Sequence, residues 1–258
     1  MKKLLQLNPL TIALTAFTVL SIINYFLLGV DDESTIGPKM VMGLIAVVII
    51  LVNKFDHFVG LTRQVSDWHP RWMLYSVPLL SLVFYNLSRA HYSSLEIDFK
   101  RIPFLLIDNF SVGFFEELLL RGLLFYVLYR LWGSTRAGIF LACLAQSLAF
   151  GLLHYINLDT YSAALVNFQV LYATAIGFGF GALMLITRSI WPSIIIHFLI
   201  DAASCIDEYF YPQYSAEIFD ISPREMLIAT ALICIPCVLP SLFYIQNHFS
   251  NKNKSVSL

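Results

Sequence analysis

The sequence predicts an all-α, polytopic membrane protein: a single domain over residues 1–258, built as a bundle of about eight transmembrane helices. Hydrophobic residues make up 58% of the 258 positions and charged ones only 13%, with a mean hydropathy of +0.73. A soluble domain of this size carries roughly 25% charged residues. The apolar residues also fall in runs of about 20, the length that crosses a bilayer core. The sixteen Lys and Arg residues gather at the ends of those runs and form no basic tract, so the chain has no footprint for nucleic acid.

The first apolar run, about 9–30, follows Lys2 and Lys3. It is too long for a signal-peptide core and lacks a small-x-small cleavage site, so it reads as a retained helix. The next runs are 38–59, interrupted late by Lys54, then 72–88, 102–131, 137–157 and 163–187. Two more follow at 190–210, where Pro192 suits a first turn, and at 224–246. Gly177 and Gly181 form a G-x-x-x-G pair in the sixth run, which predicts close helix packing. Cys143, Cys205, Cys234 and Cys237 all lie in apolar stretches and read as small hydrophobes rather than a disulfide framework. Trp132, Trp191 and Tyr209 are placed as interfacial anchors, and Asp108 as an interfacial residue opening the fourth run.

Eight spans put both termini on one side. With that side inside, the inner segments hold Lys2, Lys3, Lys54, Arg63, Arg71, Arg130, Arg136 and Arg188, while Asp31, Asp32 and Glu33 fall outside. The bias places both termini in the cytoplasm; Lys100 and Arg101 alone argue against it.

Within this apolar frame stands a polar cluster. Glu116, Glu117 and Arg121 lie inside FFEELLLRGLLF. A charge at that depth costs about 2.5–3.5 kcal/mol per residue, so such a cluster implies function. Glu117 and Arg121 are four apart and pair along one helix face. Glu116 is turned about 100° from Glu117 on an ideal helix. It is therefore assigned the reactive role, since a carboxylate poised toward neutrality is what a general base needs. His154 follows Phe150 by four residues, and His197 precedes Asp201 by four, so each pair shares a face. Phe150 reads as packing that holds the His154 ring. By helical rise Glu116 lies about 21 Å from Arg130 and His154 about 27 Å from Arg136, compatible depths; His197, about 13 Å from Arg188, comes out shallower.

EELLLR (Glu116 to Arg121), FGLLH (Phe150 to His154) and HFLID (His197 to Asp201) together resemble the CPBP intramembrane proteases, which include CAAX prenyl endopeptidases and bacteriocin-processing, Abi-type proteins. That family is marked by E-E-x-x-x-R, F-x-x-x-H and H-x-x-x-N or D on separate membrane helices. The resemblance covers approximately residues 102–205. It implies an endopeptidase in which Glu116 activates water with help from His154. His197 and Asp201 would stabilise the oxyanion, with Glu117, Arg121 and Phe150 in support. Asp201 stands where asparagine is common, and an ionised aspartate cannot donate to an oxyanion, so Asp201 is either protonated or orients His197.

Glu116, His154 and His197 could supply zinc ligands, so zinc is possible and no cofactor is certain; there is no H-E-x-x-H signature, and the reading favours metal independence. The expected partners are a membrane-associated peptide or protein substrate and the lipid bilayer; the expected location is a bacterial inner membrane. Two rival functions share the same residues: a non-catalytic membrane immunity or peptide-binding protein, and a proton-coupled transporter, since buried carboxylates and histidines also build proton relays.

Overall fold

In the computed structural model the described residues are 8–27, 35–68, 71–90, 98–210 and 223–254. Lys2, Lys3 and Asp31 to Glu33, on which the orientation reading draws, lie outside them. The described elements are all helical: α1 Pro9–Leu27, α2 Ile36–Val52, α3 Asp56–Val59, α4 Trp72–Arg89, α5 Ile102–Glu117, α6 Phe125–Trp132, α7 Arg136–Leu153, α8 Ala163–Thr187, α9 Trp191–Ser204, α10 Ile206–Phe210 and α11 Pro223–Lys254. Among the described residues four helical stretches are long and apolar enough to cross a membrane: Pro9–Phe26, Arg136–Asp159, Ala163–Thr187 and Met226–Asn247. Ile36–Val52 and Trp191–Ser204 are apolar but shorter.

Several predicted runs differ in detail. The second ends at Val52, where Asn53 caps α2 and Lys54 takes a positive φ of 60° before α3 begins. The seventh breaks at Cys205 into α9 and α10. The fourth is continuous from Ile102 to Trp132, but Leu118–Leu124 forms a π-helical segment between α5 and α6. Such wide turns inside α-helices are frequent at functional sites. Beyond Leu153 the chain of α7 tightens into a 3-10 turn over His154–Asp159. Helix starts follow ordinary chemistry. Thr135 Oγ1 accepts from Gly138 N, Ser162 Oγ accepts from Leu165 N, and a proline occupies the first turn of both α5 and α9.

Two apolar clusters form the interior. The larger joins Phe114, Phe115, Leu118, Leu120, Phe125, Ile139, Phe150 and Phe178 with Ala46 and Ile50 of α2. The smaller gathers Leu79 and Leu82 of α4, Phe180 and Leu183 of α8, Ile196 and Ile200 of α9, and Cys237 of α11. Helix α8 contributes to both and is the most buried of the four span-length stretches.

A close approach sets the α5–α9 contact. A Cβ added at Gly113 would stand 3.1 Å from the backbone nitrogen of Phe198, so any side chain there would press the two helices apart. At the far end of α9, the loop after α3 docks on the α8–α9 turn. Ser189 Oγ donates to the Gly60 carbonyl at 3.1 Å and Trp191 Nε1 to the Leu61 carbonyl at 2.8 Å. Trp191 therefore serves an internal hydrogen bond as well as any interfacial role.

Candidate active site

The polar residues singled out in the sequence converge where α5, the π-helical segment, α7, α8 and α9 meet. Glu117 and Arg121 are both fully buried, with Oε1 and Nη1 2.9 Å apart, the predicted pairing along one face. The guanidinium lies over two phenyl rings, 4.6 Å from the Phe150 centroid and 5.2 Å from that of Phe180. Its Nη2 donates to the Gly177 carbonyl at 3.2 Å. Counter-charge, ring faces and a backbone acceptor together explain how an arginine is held in a wholly buried position.

His197 is the hub. Its Nδ1 lies 2.9 Å from Glu117 Oε1, and its Nε2 lies 3.2 Å from Asp201 Oδ2 and 3.7 Å from Glu116 Oε2. Phe180 stacks on the imidazole with centroids 5.4 Å apart, and Phe150 meets it edge-on at 5.6 Å. The shallower depth expected for His197 is corrected: it sits level with both glutamates. A π-helical stretch advances less per residue than a straight α-helix, which shortens the distance from Arg130 back to Glu116. The two adjacent glutamates, expected to face apart, instead address opposite nitrogens of one ring.

Hydrogen-bond chemistry constrains the protons. A neutral imidazole has one N–H and an ionised carboxylate only accepts. Carboxylate oxygens at both His197 nitrogens thus require two protons in the cluster, either both on the ring or one on a carboxyl group. Glu116 and Asp201 are 28% and 27% exposed, whereas Glu117 is not exposed at all. The site therefore opens on the side of Glu116 and Asp201.

His154 meets the cluster through Phe150 rather than through a carboxylate. Its Nδ1 lies 2.9 Å from the Phe150 carbonyl, and its ring is 5.0 Å from the Phe150 ring. A carbonyl only accepts, so Nδ1 carries a proton and Nε2 is the ring nitrogen left for the site. Among the described residues no group of three or more His, Cys, Asp or Glu side chains has the arrangement of a metal site. Glu116, His154 and His197 do not form such a group, and no step below passes through a metal.

Several neighbours carried no motif. Gln146, fully buried on α7, shares the Gly177 carbonyl with Arg121. Gly181 makes room for Gln146, and Phe180 covers the imidazole. A glutamine in an apolar helix four residues before Phe150 was a readable signal; nothing distinguished Phe180 among 21 phenylalanines. The G-x-x-x-G pair does pack closely, as expected, with a Gly177 Cβ reaching 3.3 Å from Ser147 Cα. Asp108, read as interfacial, receives the Tyr209 hydroxyl at 2.6 Å and so ties α5 to α10.

Comparison with known proteins adds one finding. Residues 98–203 match the family model described as type II CAAX prenyl endopeptidase Rce1-like. No curated protein and no solved structure matches the chain. The matched segment contains every motif from Glu116 to Asp201.

Proposed function

We propose that this chain is an integral membrane endopeptidase that hydrolyses a peptide bond of a membrane-associated peptide or protein, with Glu116 as the base. The observation that carries the reading is His197 gripped by Glu117 on one nitrogen while the other faces Asp201 and the partly exposed Glu116. In this scheme Glu116 takes a proton from water, and His154 Nε2 orients the same molecule. The resulting hydroxide attacks the scissile carbonyl. His197 Nε2–H turns to the developing oxyanion, and the leaving amine takes the proton held on Glu116. The 3.2 Å contact supports Asp201 in the orienting role, which suits a carboxylate that cannot itself donate when ionised. Glu117 and Arg121 hold the imidazole in place.

The bundle crosses the bilayer eight times in this reading, with both termini in the cytoplasm of a bacterial inner membrane. The matched description names prenyl endopeptidases, which makes a farnesylated peptide ending in C-a-a-X the first substrate to try. Substrate trapping tests the class directly: full-length Glu116→Gln, expressed in native membranes and captured with its bound polypeptides, should enrich peptides that the wild type depletes as cleaved fragments in mass spectrometry. Identical polypeptide profiles for wild type and variant would reject the protease reading.

A further inference from the structure

Gln146 touches none of the proposed reacting groups, yet it ends a chain of contacts that reaches them. Its amide nitrogen donates to the Cys143 carbonyl at 3.1 Å within α7 and to the Gly177 carbonyl at 2.9 Å across on α8. Two carbonyl acceptors fix which end of the amide points there, because the flipped group would set oxygen against oxygen. The same Gly177 oxygen accepts from Arg121 Nη2 at 3.2 Å. From Arg121 the path continues to Glu117 at 2.9 Å and from Glu117 Oε1 to His197 Nδ1, also at 2.9 Å.

Helix α8 is shaped around this path. A Cβ at Gly181 would lie 2.7 Å from Gln146 Nε2, and one at Gly177 would lie 3.1 Å from Arg121 Nη2. Glycine inside a helix is disfavoured by up to about 1 kcal/mol relative to alanine. The two stand one turn apart, Gly181 against the Gln146 amide and Gly177 against the Phe150 ring and the Arg121 guanidinium, and keep the space those side chains occupy. A leucine at position 146 would also avoid burying an amide.

We propose that Gln146 is a positioning residue for the hydrolysis. By sharing the Gly177 oxygen it fixes the guanidinium, which fixes Glu117 and hence the rotation of His197 that offers Nε2 to Glu116 and Asp201. The proposal rests on the protease reading above.

The test uses the full chain in lipid nanodiscs, as wild type, Glu116→Gln and Gln146→Met, which keeps the length and removes the donor. The probe is an internally quenched farnesylated peptide ending in C-a-a-X, and imidazole nitrogen shifts are recorded on 15N-histidine-labelled protein. Gln146→Met should lower kcat about tenfold with KM within about twofold of wild type, the split expected when reacting groups are misplaced but binding is intact. It should also move the His197 ring-nitrogen signals and leave those of His154 in place. A folded Gln146→Met with wild-type kcat, or with unmoved His197 signals, overturns the proposal. If Gln146→Met does not fold, Gly181→Ala displaces the same amide by contact and must move the same signals; unmoved signals there overturn it equally. Should the wild type leave the probe uncut, the protease reading loses its support, while the His197 signals still decide the role of Gln146.

Discussion

His197 and its two glutamates do different physical jobs, and substitution separates them. Glu117 is fully buried, neutralises Arg121 and holds the imidazole. Removing one partner of a buried ion pair leaves an uncompensated charge and costs about 3–5 kcal/mol. Glu116 is 28% exposed and sits 3.7 Å from the ring; its exchange for glutamine keeps the side-chain volume and leaves the buried Glu117–Arg121 pair intact, so it should cost no more than about 1 kcal/mol. Thermal unfolding in detergent should therefore show Glu117→Leu strongly destabilised and Glu116→Gln near wild type. Equal losses in both would contradict the division of labour. The i, i+4 spacing alone made the Glu117–Arg121 pair readable in sequence. The convergence of Glu116 and Glu117 on one ring was not, because it depends on the side chains bending toward α9 rather than on their angular separation along α5.

The helices reach these positions through a few local devices. Gly113 lies one turn before Glu117 and sets the α5–α9 approach, its Cβ position being 3.1 Å from Phe198 N. Gly113→Val places branched carbon in that gap and should separate the helices, lengthening the Glu117–His197 contact. We expect kcat to fall with a modest drop in thermal midpoint; a wild-type kcat in this variant would show that the approach is not needed. At the other end Gly60 has φ +68°, and a Cβ there would stand 1.9 Å from the Arg188 carbonyl oxygen. Gly60→Ala meets both backbone strain and a clash, so a loss of more than about 1 kcal/mol is expected. Calorimetry in detergent checks it, and an unchanged midpoint would contradict the docking of the α3 loop on the α8–α9 turn. Hydropathy located the helical runs, and Lys54 marked the interruption of the second, but the break at Cys205 and the π-helical segment at Leu118–Leu124 were not visible. Both are backbone events within an apolar stretch, so composition barely changes across them.

At the scale of the whole molecule, α8 separates two apolar clusters, and the site lies where they meet: Phe150 belongs to one, Phe180 to the other, and both face Arg121 and His197. Large apolar side chains elsewhere point outward, among them Phe26, Val52, Phe84, Leu227 and Phe243, as expected where lipid rather than water covers the surface. The all-helical class and the membrane character were legible in composition alone, and the site's membership in its motifs. Gln146 and Phe180 escaped because their importance lies in what they touch. The proposed orientation predicts that a fluorescent protein fused after Leu258 folds and fluoresces while an alkaline phosphatase fused there is inactive; the reverse pattern would invert the topology. The central claim is that Glu116 activates water for peptide hydrolysis. Its most direct test is kcat for a peptide that the wild type cleaves, measured with purified, folded Glu116→Gln in nanodiscs. General-base catalysis contributes about 10²–10⁴-fold, so the variant should lose at least about a hundredfold in kcat, whereas turnover equal to wild type would contradict the account.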